Sequence, residues 1–229
     1  MLFNRNDPKT WPTYKPLIIA HDVGRSRDRS TAVVGGNCPI GPQLLGMEEF
    51  TELPPKLFGS ARANALAATD RKYNSNAIIV ADLSNDATYA ESLCERFGSR
   101  VIGLHITRSG DGMNPESRQV KDSSMLVYKI GRSHLLELYH SELQADKVRI
   151  VDSPNSKRAY EQLTNLETEL RESGTVYTCP PGQHDDLGIS AAMLAWAARH
   201  PHLREWVRNS ERSRIVRERK PAFGWGAFT

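Results

Sequence analysis

Three acidic points in the chain have the residue types and the settings to do chemistry. Asp22 follows the apolar run LIIAH, and Asp82 follows AIIVA. His184-Asp185-Asp186 comes after a Pro-Pro-Gly turn and before the apolar stretch LGISAAMLAWA. A buried strand delivers the side chain at its carboxyl end with little positional freedom, and α/β sheets build their sites there. Carboxylates at the start of a helix are stable as anions. Each point also has a plain structural use: Asp185 or Asp186 as an N-cap, Asp22 and Asp82 as turn caps beside Gly24 and Asn85. Gathered in one place, the carboxylates would repel and shift their pKa values unless a cation neutralised them. An oxygen-only donor set suits Mg²⁺ or Mn²⁺. Two such ions about 4 Å apart activate water and stabilise the leaving oxygen in phosphodiester cleavage. That scheme does not need His184 as a ligand, and leaves it to cap the turn, bond a carboxylate or assist protonation. His21, next to Asp22, points to the opposite side of its strand.

The surrounding pattern supplies elements that can hold these points. Apolar or β-branched runs predict strands over 17–20, ending near Asp22, and over 31–34, stopping at Gly35-Gly36, with a third over 43–52. A helix follows up to Tyr73, with Leu57, Ala61, Ala65 and Ala68 at helical spacing. Strand 77–80 then leads into Asp82. A helix over 87–97 has Ala90, Leu93, Cys94 and Phe97 on one face, and a strand covers 101–106. Residues 107–124, polar and rich in glycine and serine, read as a long loop. Leu135, Leu136, Leu138, Tyr139 and Leu143 mark a helix, followed by strand 148–151. Ala159, Leu163, Leu166 and Leu170 mark another helix, followed by strand 175–178. The last core helix carries Leu187, Ala191, Leu194 and Ala198 on one stripe. A three-strand meander followed by helix–strand units is an α/β layered domain with a mixed sheet, in which the strands ending at Asp22 and Asp82 are expected to be neighbours.

Composition narrows the class. The chain has 229 residues, 39% hydrophobic and 25% charged, which suits a globular domain with appendages. No apolar stretch approaches the ~20 residues of a membrane span, and the opening MLFNRNDPKTWPTYKP lacks the apolar run of a secretory signal. Cys38, Cys94 and Cys179 are far apart and form neither a disulfide framework nor a zinc box, so a reducing cytoplasm is expected. The net charge of +3 is uneven: from Pro201 onward seven bases face three acids, a surplus of four. A basic tail follows phosphates, or forms a solvated helix of Glu–Arg pairs. In GRSRDRST, Arg25, Arg27 and Arg29 alternate beside a carboxylate, which suits a polyanion or a solvated loop.

The stretches LIIAHDVGRSRDRSTAVVGG, AIIVADLSND and HDDLGISAAMLAWA, in this order, resemble the nuclease domain of the large terminase subunit of tailed phages and prophages. YKIGRSHLLELYHSEL with DKVRIV is similar to the helix and short strand between that family's second and third motifs. The resemblance spans residues 16–200. It implies a ribonuclease-H-like mixed β-sheet, a three-strand meander plus parallel strands, flanked by helices. It also implies an extension over 1–15, the nuclease domain over 16–200 and a basic tail over 201–229. The implied activity is endonucleolytic cutting of concatemeric double-stranded DNA during genome packaging, with Mg²⁺ or Mn²⁺, two ions, as cofactor. Asp22 becomes the first-strand ligand, Asp82 the fourth-strand ligand and Asp186 the third, with Asp185 as the alternative. Arg25, Arg27 and Arg29 would hold the DNA backbone, with His184 assisting. The implied partners are a packaging ATPase and the portal or small terminase, in the host cytoplasm and with no membrane.

Some features depart from the family. Some relatives in this fold carry a further acid about a turn beyond HDD, where this chain reads Gly188, Ile189, Ser190, which bears on how tightly a second ion is held. No G-x-x-x-x-G-K-[ST] occurs, so the chain is not by itself a P-loop motor, and both a fragment of a terminase and a separately encoded nuclease fit. A Holliday-junction resolvase or a ribonuclease H would use the same chemistry. A non-catalytic DNA-binding packaging module is the non-enzymatic alternative. HDVGRSRDRSTAVV also resembles the first phosphate loop of sugar kinases and actin-like ATPases, without their second glycine-rich motif.

Overall fold

Short apolar runs make the central strands, and their alternation decides which layer each side chain joins. The computed structural model describes residues 3–4, 17–24, 29–38, 44–54, 57–73, 76–84, 88–121, 123–171, 174–181 and 183–219. The strands are β1 (Phe3–Asn4), β2 (Ile18–Asp22), β3 (Thr31–Asn37), β4 (Leu45–Glu52), β5 (Ile78–Asp82), β6 (Val101–Thr107), β7 (Asp111–Val120), β8 (Ser123–Gly131), β9 (Val148–Val151), β10 (Glu167–Arg171) and β11 (Gly174–Thr178). The helices are α1 (Gly59–Lys72), α2 (Tyr89–Phe97), α3 (Arg132–Gln144), α4 (Pro154–Thr164), α5 (Asp186–Arg199) and α6 (Leu203–Arg219).

Nine strands form one mixed sheet in the order β1-β9-β4-β3-β2-β5-β6-β8-β7, and β10 and β11 form a separate antiparallel hairpin. The expected meander is present: β3 is antiparallel to both β2 and β4. The strands ending at Asp22 and Asp82 are parallel neighbours, with Ile18 opposite Ile78 and His21 opposite Ala81. This is the ribonuclease-H-like mixed sheet with helices on both faces.

Alternation along β2 and β5 divides the core in two. Ile18, Ala20, Ile78 and Val80 pack on one face with α3, α4 and α5. Ile19, Ile79 and Ala81 pack on the other with α1 and α2. By the same period-two rule, Asp22 and Asp82 lie on the α5 side. From Leu187 to Ala198 every residue of α5 is buried, because the helix is enclosed by the sheet and by α3 and α4 rather than facing solvent beyond a single stripe. Leu203 and Trp206 bring α6 into the same core. Trp206 Nε1 donates to Tyr128 Oη at 3.1 Å, and its ring stacks on His200 at 4.8 Å. Arg204, Glu205 and Arg208 on the same helix face solvent.

Two expectations are corrected. Residues 107–124 are not a loop: β7 occupies 111–120 and pairs antiparallel with β8 at the edge of the sheet. The helix through Ala159 and Leu163 stops at Thr164, and Leu166 and Leu170 do not continue it. Leu170 lies in β10, 84% exposed, so its helical spacing from Leu163 is not a packing face.

Candidate functional site

Asp22 and Asp82 end adjacent parallel strands on the side covered by α5, and the first turn of α5 brings Asp185 and Asp186 to the same edge. Burial, followed by the charges of Asp82, Asp186 and Asp185, holds the Asp22 carboxyl well above the ordinary carboxylate range. Asp82, Asp186 and Asp185 are therefore each within electrostatic reach of Asp22. Asp82 is also raised, chiefly by burial, against hydrogen bonds that favour its ionised form. Its Oδ1 accepts from the backbone N–H of Ser84 at 2.9 Å and from the Ser84 hydroxyl. Ser84 Oγ in turn accepts the N–H of Ile106 at 2.8 Å, which ties the end of β5 to β6.

The acidic pair at the start of α5 is divided by its contacts. Asp185 occupies the N-cap position but makes no side-chain capping bond. Its carboxylate is instead ion-paired with Arg132, the first residue of α3, which also donates to the carbonyl of Tyr177. The capping contact comes from α4: Gln162 Oε1 accepts the N–H of Gly188 at 3.1 Å. Gly188 permits this approach, because a Cβ there would sit 3.0 Å from the Leu163 side chain. Asp186 is partly buried, its backbone carbonyl accepts the Thr31 hydroxyl at 2.9 Å, and His184 Nδ1 stands 4.0 Å from its Oδ2. Asp186 also benefits from the positive end of the helix dipole. His184 itself is exposed.

Among the described residues no three histidine, cysteine or carboxylate side chains close into a ready-made cage for a metal ion. Two of the four carboxylates are turned to other partners, Asp82 to Ser84 and Asp185 to Arg132. A cleft of about 430 Å³ opens beside Asp186, lined by Arg29, Glu52, Arg158, Gln162, Gln183 and His184, among others. Arg29 pairs with Glu52 at 3.1 Å, and Arg158 binds the same carboxylate. Arg25 and Arg27 lie outside the described residues.

His21 faces away from the carboxylates, as its place in the strand requires. Its Nδ1 donates to the carbonyl of Thr31 at 2.8 Å and its Nε2 accepts from Tyr89 Oη at 3.1 Å. Burial lowers its pKa to about 4, so the ring is neutral and structural. Ser84, Arg132, Gln162 and Ser190 are contributors that motif reading did not single out. Ser84, two residues after Asp82, carried the one local signal, that of a turn-forming hydroxyl. Arg132 and Gln162 reach the site from distant parts of the chain, and Ser190, one turn beyond Asp186 in α5, is distant only from Asp22, whose backbone N–H it accepts.

No protein-family model matches the chain, and no curated protein matches it significantly. Solved structures do. The large terminase nuclease from thermophilic phage G20c, crystallised with bound magnesium, is 19% identical with a TM-score of 0.56, covering 85% of this chain and 91% of its own. The large terminase nuclease domain of Thermus phage P74-26 is 18% identical with a TM-score of 0.52, covering 86% and 90%. The nuclease domain of the large terminase subunit of bacterial virus Sf6 is 11% identical with a TM-score of 0.53, covering 82% and 90%. At these identities the likeness is one of architecture, and the chain has the ribonuclease-H-like fold of large terminase nuclease domains.

Proposed function

We propose that this protein is a divalent-metal-dependent DNA endonuclease of the large terminase type, cutting double-stranded DNA during viral genome packaging in the host cytoplasm. The observation that carries this reading is that Asp22 and Asp82 end neighbouring parallel strands, with Asp186 close enough to Asp22 that, after burial, the charges of Asp82 and Asp186 raise it. The donor set fits a hard cation. It is made of carboxylate oxygens alone, and the repulsion within it is a deficit of positive charge that a divalent ion fills. Asp22, Asp82 and Asp186 would hold Mg²⁺ or Mn²⁺, with a second ion in the full site. The Arg132 ion pair makes Asp185 the weaker candidate and gives it the task of orienting the start of α5. When bound, a divalent ion lowers the pKa of an attacking water and stabilises charge on the scissile phosphate. Ser84 holds the Asp82 carboxylate in place. His184, exposed beside Asp186, is the candidate assisting group. The G20c nuclease crystallised with magnesium supports this choice of cofactor.

DNA contact falls to Arg25, Arg27 and Arg29 in the segment after β2. Replacing all three with alanine is expected to weaken DNA binding and to lower the slope of log affinity against log salt by up to about 2–3, the number of phosphate contacts removed. An unchanged slope in a fluorescence-anisotropy salt titration would withdraw the assignment. A packaging ATPase and the portal or small terminase are the expected partners.

The direct test is incubation of supercoiled plasmid with Mn²⁺, Mg²⁺ or EDTA, beside an Asp82→Ala protein. Nicking and linearisation that require metal and are lost in the variant are the expected result. No cleavage with either metal, or equal cleavage by the variant, would overturn the reading. Junction and RNA–DNA hybrid substrates in the same assay distinguish packaging-type cleavage from resolvase or ribonuclease H activity.

A further inference from the structure

Ser190 is a polar residue inside an enclosed helix, flanked by Ile189 and Ala191, and it is fully buried. Thr31, at the start of β3, is 1% exposed. Hydroxyls in such surroundings are costly unless they are bonded, and these two are bonded in a definite order. Thr31 Oγ1 donates its one proton to the backbone carbonyl of Asp186 at 2.9 Å. In the 2.7 Å contact between the two hydroxyls Thr31 is therefore the acceptor and Ser190 the donor. Ser190 Oγ in turn accepts the backbone N–H of Asp22 at 3.2 Å. A competing bond of Ser190, to the carbonyl of Thr31, is longer at 3.4 Å. The chain Asp22 N–H to Ser190 to Thr31 to Asp186 C=O uses each hydroxyl proton once, and it joins the main chains of two carboxylates that lie 164 positions apart. Thr31 is anchored from the other face of the sheet as well, because its carbonyl accepts His21 Nδ1 at 2.8 Å.

We propose that Thr31 and Ser190 are positioning residues, and that their hydroxyl relay sets the spacing of the Asp22 and Asp186 carboxylates and with it the affinity for a divalent metal. The proposal rests on the metal-dependent reading above. Neither residue touches the metal. They act through the backbone of the residues that do, in the way partners of metal ligands orient a site.

The test is calorimetric titration of MnCl₂ into the full chain and into Thr31→Val, Thr31→Ser and Ser190→Ala, with the melting temperature of each recorded in EDTA. Thr31→Val and Ser190→Ala are expected to weaken Mn²⁺ binding by about tenfold or more, the usual scale for lost outer-shell partners. Thr31→Ser, which keeps the hydroxyl, is expected to bind as the natural protein does. Equal affinity in all four proteins overturns the proposal whatever happens to the melting temperatures. So does weak binding by Thr31→Ser, which would assign the effect to the threonine methyl. Ser190→Ala removes one oxygen and adds nothing, so the comparison stands even if Thr31→Val fails to fold. If the natural protein itself takes up no Mn²⁺, the metal-dependent reading fails, and the relay's role falls with it. Metal uptake that is insensitive to the hydroxyls leaves that reading intact and removes only the relay.

Discussion

Asp22→Asn is expected to abolish DNA cleavage while raising the melting temperature of the metal-free protein. The substitution keeps the size and shape of the side chain and removes one charge. Burial, and after it the charges of Asp82, Asp186 and Asp185, raise the pKa of this carboxyl in the folded chain. A carboxyl whose folded pKa lies above its unfolded value near 3.9 favours the fold when protonated. Below the unfolded pKa no penalty exists. The penalty grows as pH rises between the two values, and it is complete above the folded one. At pH values where Asp22 is ionised the natural protein therefore carries a destabilising charge that asparagine lacks. In a protein of this size each kcal/mol so recovered is worth about 2–4 °C. Lowering the pH should narrow the difference between the two proteins.

Metal reverses the order. An ion that binds only the folded chain stabilises it by mass action, so MnCl₂ should raise the melting temperature of the natural protein and leave Asp22→Asn little changed. Cleavage should fall by about a thousandfold or more, since groups that act as one catalytic unit fail together. Thermal melts in EDTA and in MnCl₂, run with the plasmid assay, check all three statements. A lower melting temperature for the variant in EDTA would mean that Asp22 is a structural residue and not a strained ligand. The trade of stability for chemistry would then have to be sought elsewhere in the site.

The carboxylates were legible in the sequence because each is announced locally, two by the apolar runs that become β2 and β5 and one pair by the start of α5. The contacts that sort them were not. Arg132 is 53 positions from Asp185, and Ser190 is 168 positions from the backbone N–H it accepts. Nothing in the local pattern reports such distances. Edge strands hide for a different reason: β7 pairs on one side only, and most of its residues meet solvent, so its composition is that of a loop. The β10–β11 hairpin stands apart from the main sheet and buries too little to impose a period-two pattern. Leu166 and Leu170 then mimic helical spacing without a helix. In each case the missing information is a partner brought in by the fold rather than a property of the segment itself.

Gly35 shows the same lesson in its most severe form, and Gly35→Ala is expected to be the most damaging single methyl in the sheet. Gly35-Gly36 reads as the end of a strand, yet β3 runs through both to Asn37. The register of β3 against β4 shifts between Val34 and Gly35. At that irregularity the two backbones come so close that a Cβ on Gly35 would lie 2.0 Å from the carbonyl oxygen of Gly46 and 3.0 Å from Met47 Cα. Backbone atoms cannot swing aside as a side chain does, so the added methyl must part the strands or move the bulge. Gly35 is also opposite Ile18 on β2, so a displacement there is passed to the strand that ends at Asp22. The expected cost is about 4 kcal/mol or more, the range reserved for overpacking that the structure cannot absorb. That corresponds to a fall of roughly 8–16 °C in melting temperature. Gly59→Ala is the control: its Cβ would meet the Tyr89 ring at 3.2 Å and Ser92 Oγ at 3.4 Å, side-chain atoms that need yield only by a few tenths of an ångström. A change within about 1 kcal/mol is expected there, since alanine is also the better helix former at the start of α1. Equal melting temperatures for Gly35→Ala and the natural protein would mean that β3 and β4 are not held at this spacing. Because Thr31 starts β3, loss of the pairing should also loosen the start of that strand, and Mn²⁺ affinity should fall with stability in Gly35→Ala but not in Gly59→Ala.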